Sequence, residues 1–222
     1  MGNTVKKVIL FNGAPNSGKD ASALIMKELF GFGAIHAFKD ELYKATAKHF
    51  DVDLDKFVVM ARDRLLKETK TRLLNHKKGM SLIQRIKFFV KSLFTMVGLS
   101  PREALIFVSE KIIKPQHGND FFGKQLANTI NLSHFDTFYI PDSGFVDELR
   151  PLVEAGYDVH VVRIHRDGTT FENDSRTEMT DDILKEFGIK GYDLHNNGSL
   201  GDLRDGLLSI ATNQIALGKN KL

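Results

Sequence analysis

The stretch KVILFNGAPNSGKD at positions 7–20 decides the fold of this 222-residue chain. Four apolar residues at 8–11 are typical of a buried strand, and Gly13, four further residues, Gly18 and Lys19 follow them. This is the spacing of a phosphate-binding loop, in which glycines let backbone N–H groups turn toward phosphate oxygens and the lysine reaches the β and γ phosphates. Apolar residues then recur at helical spacing, so strand, loop and helix come in the required order. The stretch therefore predicts binding of a nucleoside triphosphate; the alternative is a glycine-rich turn of an α/β protein.

The loop departs from the usual pattern at Asp20, which stands where Ser or Thr normally follows the lysine. A carboxylate suits the positive end of a helix dipole, but it repels a bare triphosphate. A cation or a water shell between the two is therefore expected. We predict Mg²⁺ as a cofactor, held by Asp20 directly or through water.

Composition favours one α/β domain with an insertion, because 222 residues that are 42% hydrophobic are enough to build a core. The chain has no cysteine, which excludes disulfides and thiolate metal sites. Its eight histidines show no metal-ligand spacing. No secretion signal or run long enough to span a bilayer is seen, so we expect a soluble cytoplasmic protein.

Positive charge is concentrated at 61–98, where ten Lys or Arg residues face only Asp63 and Glu68. The segment is therefore +8 and the rest of a chain of net charge +3 is −5. Such a block is typical either of a phosphate-bearing partner or of a solvated helix face. Within it, an apolar stripe at 82–97 favours core packing and leaves a homodimer open.

The order of the elements predicts a doubly wound parallel sheet of five strands with helices on both faces, as in P-loop NTPases. We predict a helical insertion at about 51–98, mostly helical from 53, and a mobile lid at about 166–182. The remaining elements predicted from periodicity and turn residues are strands at 8–11, 34–38, 137–140, 158–164 and 192–195, and helices at 39–50, 102–113, 121–131, 145–155 and 199–217.

Residues suited to phosphoryl transfer lie at expected places in this order. Asp142 follows the strand at 137–140, where open α/β sheets bind ligands, and it could hold Mg²⁺ or orient an acceptor; the alternative is an Asx turn. Arg166 and Arg176 lie in the predicted lid and could close on transferring phosphates, or they could be solvated loop residues. Arg102 at a helix start could grip an acceptor phosphate, or it could be an ordinary surface arginine.

Seven segments together resemble the bacteriophage deoxynucleoside monophosphate kinases, a branch of the P-loop nucleoside monophosphate kinases. They span almost the whole chain in the family's order, except for 51–98, which looks like an enlarged insertion. The segments are GAPNSGKD at 13–20, AFKDELYKATA at 37–47, SPREAL at 100–105, HGNDFFGKQLA at 117–127, IPDSGFVDE at 140–148, RIHRDGTTFENDSRTEM at 163–179 and HNNGSLGDLRD at 195–205.

The resemblance implies transfer of the γ-phosphoryl group of ATP to a deoxynucleoside 5′-monophosphate, for deoxynucleotide supply in phage DNA synthesis. It also implies roles for particular residues of this chain. The implied catalytic residues are Lys19, Asp142, Arg166 and Arg176; the ATP-binding residues are Gly13, Asn16, Ser17, Gly18, Lys19, Asp20 and Asn197; the acceptor-binding residues are Phe38, Lys39, Asp40 and Arg102; and the Mg²⁺-binding residues are Asp20 and Asp142.

Two other functions fit parts of the sequence. A P-loop kinase of another phosphorylated small molecule, similar to phosphomevalonate kinases, also uses Gly-Lys-Asp. A nucleic-acid-binding ATPase would use the basic block at 61–98, although the lack of aromatic residues among the charges at 61–78 argues against stacking on single strands. We therefore expect ATP and a deoxynucleoside monophosphate as partners, rather than nucleic acid or a membrane. The bases accepted are left open.

Overall fold

The computed structural model describes residues 5–75, 98–172 and 174–217. These residues form two compact units, of which the first combines Met1–Phe38 with Asp120–Leu222 and the second is Lys39–Asn119. The predicted apolar stripe at 82–97, most of the basic block and much of the predicted insertion lie outside the described residues.

The first unit contains a parallel sheet of five strands, as the sequence predicted. Its strands are β1 (Lys7–Asn12), β2 (Ala34–Ile35), β3 (Thr137–Ile140), β4 (Asp158–His165) and β5 (Lys190–His195). Their order in the sheet is β2-β3-β1-β4-β5, so β1 is central and pairs with β3 on one side and β4 on the other. The chain leaves β1 where the strand order reverses, which is the position at which open α/β sheets bind ligands.

The helices along the described chain agree with most of the predicted positions. We label those of both units in chain order. They are α1 (Lys19–Phe30), α2 (Lys39–Phe50), α3 (Leu54–Arg62), α4 (Pro101–Phe107), α5 (Lys114–His117), α6 (Phe121–Leu132), α7 (Arg150–Glu154), α8 (Asp181–Glu186) and α9 (Leu200–Asn213).

Both faces of the central strand are buried. Ile9 and Phe11 pack in one hydrophobic cluster with side chains of α1 and α9. Val8 and Leu10 are outside that cluster, and they are also fully buried. Since successive side chains of a strand point to opposite faces, the second face of β1 is covered as well. This explains why β1 reads as a continuous apolar run rather than an alternating one.

The described part of the second unit is mostly helical. It contains α2, α3, a 3₁₀ turn at Leu66–Glu68 and α4, which begins with a capping box formed by Ser100 and Glu103. The predicted helix at 102–113 begins one residue earlier and continues through a π-helical turn at Val108–Ile113 into α5. Residues 69–75 are not helical, contrary to the prediction of a mostly helical 53–98. No described helix of either unit is long and apolar enough to cross a bilayer.

Three predicted elements of the first unit have different bounds in the structure. The strand predicted at 34–38 is limited to β2, because the backbone N–H of Phe38 bonds to a side chain instead of a neighbouring strand. The helix predicted at 145–155 is divided into a 3₁₀ turn and α7, since Pro151 has no N–H and is tolerated only in the first turn of a helix. The helix predicted at 199–217 ends at Asn213.

Candidate functional site

The phosphate loop connects β1 to α1, and two of its glycines are required by their surroundings. A Cβ atom on Gly13 would lie 2.5 Å from the backbone oxygen of Ile164, at the end of β4. Gly18 has a left-handed φ of 109°, and a Cβ atom there would lie 2.5 Å from Nδ2 of Asn196. That Nδ2 atom donates a hydrogen bond of 2.8 Å to the backbone oxygen of Ser17. The loop is therefore held against the carboxyl ends of β4 and β5.

Lys19 is the first residue of α1, and its side chain folds back into the loop. Its Nζ atom donates hydrogen bonds of 2.6 Å to the backbone oxygens of both Gly13 and Ala14. Only 6% of the residue is exposed. The Oγ atom of Ser17 is buried in the same loop and has no hydrogen-bond partner among the described residues. The loop therefore offers a buried cation and an unsatisfied hydroxyl group at the point where a polyphosphate is predicted to bind.

Asp142 lies directly beyond β3, as predicted, and it is nearly buried. Its Oδ1 atom accepts a hydrogen bond of 3.0 Å from the backbone N–H of Phe38. The carboxylate thus ties the end of β3 to the chain that follows β2. It brings Phe38, a predicted acceptor-binding residue, to the same edge of the sheet.

Arg176 is held by a carboxylate two residues earlier. Its Nε and Nη2 atoms donate hydrogen bonds of 3.0 and 2.7 Å to the two carboxylate oxygens of Asp174. Its methylene groups lie over Gly144, where any side chain would collide with them. The hydrogen bonds to Asp174 raise the pKa of Arg176, burial opposes this, and the charges of Asp174, Asp142 and Asp20 reinforce it. Three predicted site residues, Arg176, Asp142 and Asp20, therefore interact electrostatically.

Asn12, the last residue of β1, is fully buried next to the loop. Its Nδ2 atom donates to the backbone oxygens of Ser143, at 3.3 Å, and Thr177, at 3.0 Å. Its Oδ1 atom accepts a hydrogen bond of 2.9 Å from the backbone N–H of Met179. No sequence pattern predicted a role for this residue. The available signal was a polar residue closing an otherwise apolar strand, directly before the first glycine of the loop.

A second cluster of polar side chains, centred on the buried Arg163, lies near the ends of β4 and β5. The guanidinium of Arg163 bonds to both carboxylate oxygens of Asp193, at 2.8 and 2.6 Å, and Nη1 bonds to Asp181 at 2.6 Å. Nε2 of His165 lies 2.6 Å from Oδ1 of Asp193. Burial disfavours the charged form of Asp193, but the bonds from Arg163 and His165 outweigh it and lower its pKa. Through Asp181, this group ties the start of α8, at the end of the predicted lid, to the sheet.

An open cleft of about 420 Å³ lies beside the phosphate loop. Its lining includes Gly13, the predicted lid residue Arg166, Glu178 and His195. Arg166 is exposed, and the backbone N–H of the next residue, Asp167, donates a hydrogen bond of 2.8 Å to Oδ1 of Asn197. The start of the predicted lid and the predicted ATP-binding Asn197 are therefore adjacent.

Three predicted acceptor residues belong to the second unit. Lys39 and Asp40 are the first two residues of α2. Arg102 lies in the first turn of α4, where its Nη1 atom donates a hydrogen bond of 3.1 Å to Glu68. The side chains of Arg102 and Glu68 are both about half exposed. The acceptor-binding roles of Lys39, Asp40 and Arg102 stay predictions.

The carboxylates of the first unit suit a cation that needs few protein ligands. Within residues 5–75, 98–172 and 174–217, no three His, Cys, Asp or Glu side chains are grouped so that they could hold a metal ion. Magnesium ions are commonly bound through one or two carboxylates, with phosphate oxygens and water completing the shell. Asp20 and Asp142, beside a phosphate loop, fit that donor set.

The central position of β1, the strand order and the phosphate loop between β1 and α1 together define an α/β fold of the P-loop NTPase type. No protein-family model and no curated protein matches the chain. Among solved structures, a variant of the Mycobacterium tuberculosis APS kinase CysC is similar, with a TM-score of 0.40 and 13% identity over 94% of this chain and 99% of that chain. At these values the likeness carries no argument about function.

Proposed function

We propose that the protein is a kinase that transfers the γ-phosphoryl group of ATP to a deoxynucleoside 5′-monophosphate, giving ADP and the diphosphate. The observation that carries this proposal is the buried ammonium group of Lys19 inside the phosphate loop. Phosphoryl transfer depends mainly on positioning and on neutralising charge. Lys19 and Arg176 supply the positive charge, while Asp20 and Asp142 supply ligands for a cation.

The donor polyphosphate would take over hydrogen bonds that the loop now makes to itself. Lys19 would exchange the carbonyl oxygens of Gly13 and Ala14 for the β and γ phosphate oxygens. The hydroxyl group of Ser17 would gain an acceptor. The amino end of α1 would favour the negative charge through its backbone N–H groups and its dipole.

Asp20 and Asp142 would hold Mg²⁺, which when bound neutralises charge on the phosphate oxygens. Arg176 is bonded to Asp174, and the charges of Asp142 and Asp20 also raise its pKa, which supports this arrangement. A planar guanidinium group can bind two phosphate oxygens at once, so Arg176 would stabilise the charge that develops on the transferring group. Arg166, at the other end of the predicted lid, would contribute from the cleft.

The deoxynucleoside monophosphate acceptor is proposed from the sequence resemblance. As the resemblance implies, Phe38, Lys39, Asp40 and Arg102 would bind the acceptor monophosphate, and Asp142 would serve the metal or the acceptor. The activity would serve deoxynucleotide supply during phage DNA synthesis.

The proposal is tested with purified protein, ATP and Mg²⁺, supplying each deoxynucleoside and ribonucleoside monophosphate separately. We expect ADP and the matching diphosphate, separated by anion-exchange chromatography, with at least one deoxynucleotide. Reactions without an acceptor measure background ATP hydrolysis, and the Lys19→Ala variant measures contaminating kinases.

Two further arms address the other functions that the sequence allows. Phosphomevalonate replaces the nucleoside monophosphate acceptor in one arm, and single-stranded DNA replaces that acceptor in the other. Product from phosphomevalonate alone, or ATP hydrolysis stimulated by DNA without any diphosphate product, would overturn the nucleotide proposal.

A further inference from the structure

We infer that Asn12 is a positioning residue that places the lid arginine Arg176 relative to the phosphate loop; this inference rests on the proposed kinase function. Asn12 is the residue before Gly13, so any shift of its backbone is passed directly to the loop. Its side chain bonds to the backbone on both sides of the site, after β3 and before α8.

The carboxamide of Asn12 is matched to its three partners. Its two N–H groups face the carbonyl oxygens of Ser143 and Thr177, and its oxygen faces the N–H group of Met179. This pattern of two donors and one acceptor fixes which end of the amide is the nitrogen. All three partners are backbone atoms, so the bonds control where the chain runs rather than which side chain is present.

The bonds of Asn12 also hold the backbone next to Arg176. The residue after it, Thr177, donates its backbone N–H to Gly144 at 2.9 Å and accepts from Asn12 at 3.0 Å. Gly144 is also the residue over which the Arg176 side chain lies. A second bond, from the Ser143 hydroxyl group to the backbone oxygen of Phe11 at 3.1 Å, fastens the same turn to β1. The backbone carrying Arg176 is thus fixed to the strand that leads into the phosphate loop.

The bonds also fix the end of the predicted lid at 166–182. Thr177 and Met179 are joined to Asn12, and Arg163 bonds to the backbone oxygen of Met179 at 3.2 Å. Met179 itself is fully buried. The backbone that follows Arg176 is therefore held in register with the phosphate loop.

The decisive test is a double-mutant cycle with Asn12→Ala and Arg176→Ala. Alanine removes all three bonds without adding charge next to the phosphates. Because small misplacements of a catalytic group reduce turnover strongly, we expect Asn12→Ala to lower kcat roughly tenfold to hundredfold. In the Arg176→Ala background the same change should cost less than about twofold, since the group that Asn12 positions is already gone. Additive effects, or a wild-type kcat in the single variant, would overturn the inference.

Hydrogen exchange gives a readout that does not need activity. In the free protein, amides at 174–180 should exchange faster in Asn12→Ala than in the wild type, whereas amides of α9 should be unchanged. Equal protection at 174–180 would overturn the inference even if the protein phosphorylates no nucleotide. Conversely, faster exchange in Asn12→Ala together with no phosphoryl transfer by the wild type would contradict the proposed function. The role of Asn12 in holding the backbone at 174–180 would still stand.

Two controls accompany the cycle. Asn131→Ala changes an exposed asparagine on α6 and should alter neither kcat nor exchange at 174–180. Thermal unfolding checks that each variant folds. If Asn12→Ala shows no cooperative transition, Asn12→Ser, which keeps one donor, replaces it in both measurements with the same expected signs.

Discussion

The Nζ atom of Lys19 lies 2.6 Å from the backbone oxygen of Gly13, six residues earlier in the same loop. The loop therefore supplies its own partner for the lysine. In the proposed function, a bound polyphosphate would displace that carbonyl oxygen by making stronger, charge-assisted bonds.

Replacing this lysine should remove turnover and preserve the fold. We expect Lys19→Ala to lower kcat at least about a hundredfold, because a preorganised cation at the transferring phosphate is lost. Steady-state ADP production measures the effect. Lys27→Ala, on an exposed position of the same helix, is the matched control and should retain wild-type kcat. Similar activity in the two variants would contradict the assigned role of Lys19.

The second prediction concerns the paired hydrogen bonds between the guanidinium group of Arg176 and the carboxylate of Asp174. Arg176→Lys keeps the charge but cannot make two parallel bonds, so kcat should fall roughly tenfold or more. KM for ATP should change much less if the guanidinium acts mainly in the transition state. Arg204→Lys on the exposed side of α9 controls for the substitution type. A rise in KM with unchanged kcat would instead indicate that Arg176 binds the ground state.

The carboxylate of Asp142 should set the magnesium dependence. Asp142→Asn can still accept the bond from Phe38 but loses a negative charge, so a higher Mg²⁺ concentration should be needed for half-maximal activity. Titrating Mg²⁺ at constant ATP measures this shift. Asp136→Asn, an exposed position just before β3, should titrate like the wild type. An unchanged Mg²⁺ titration in Asp142→Asn would contradict the cation site.

A glycine pair tests the packing of the loop. Gly13→Ala should destabilise the protein by about 1–3 kcal/mol and weaken ATP binding, because the new methyl group meets the Ile164 backbone. In Gly201→Ala the methyl group would meet only the Ser199 hydroxyl at 3.4 Å, an ordinary contact on the exposed side of α9. Higher helix propensity should make that variant neutral or more stable by up to about 1 kcal/mol. Urea unfolding and calorimetry measure both properties, and equal stability of the two variants would refute the close contact.

The pH dependence of stability should contain a contribution from His160. Burial lowers the pKa of His160, against the opposing effect of Asp158, whose Oδ1 lies 3.0 Å from Nε2. The pKa of His160 is lower in the folded state than in the unfolded chain, where it is about 6.5. The neutral imidazole therefore contributes its full stabilisation above that pH, and the contribution is lost as the pH falls through the pKa of the folded state. The melting temperature should therefore drop between about pH 7 and pH 5.

His160→Gln should show a smaller drop over the same range, since it has no proton to bind. His134→Gln, at an exposed position, should keep the wild-type slope. Thermal unfolding at a series of pH values measures the slopes. If His160→Gln and the wild type have the same slope, the buried imidazole does not contribute.

Local sequence patterns were sufficient to predict the phosphate loop and several of the helices and strands. The phosphate loop, α1, α2 and β3 can be recognised from short stretches, because each depends on glycine spacing or on apolar periodicity within about a dozen residues. The helix α8 was missed although Thr180 caps it and two aspartates begin it. The polar residues before α8 are typical of a loop, so the start of the short helix that follows them was included in the predicted lid.

The sequence by itself determined the order of strands and helices, the phosphate loop and the residue types available for chemistry, since all of these depend on neighbours along the chain. Only the tertiary structure decided that Asn12 bonds to Met179, 167 positions later, and that Arg163 bonds to Asp193. The buried side chains of Asn12 and Arg163 must find polar partners wherever the packed strands bring them. Parallel strands joined by crossovers place residues far apart in sequence side by side at one edge of the sheet, and no local pattern specifies which of them will meet.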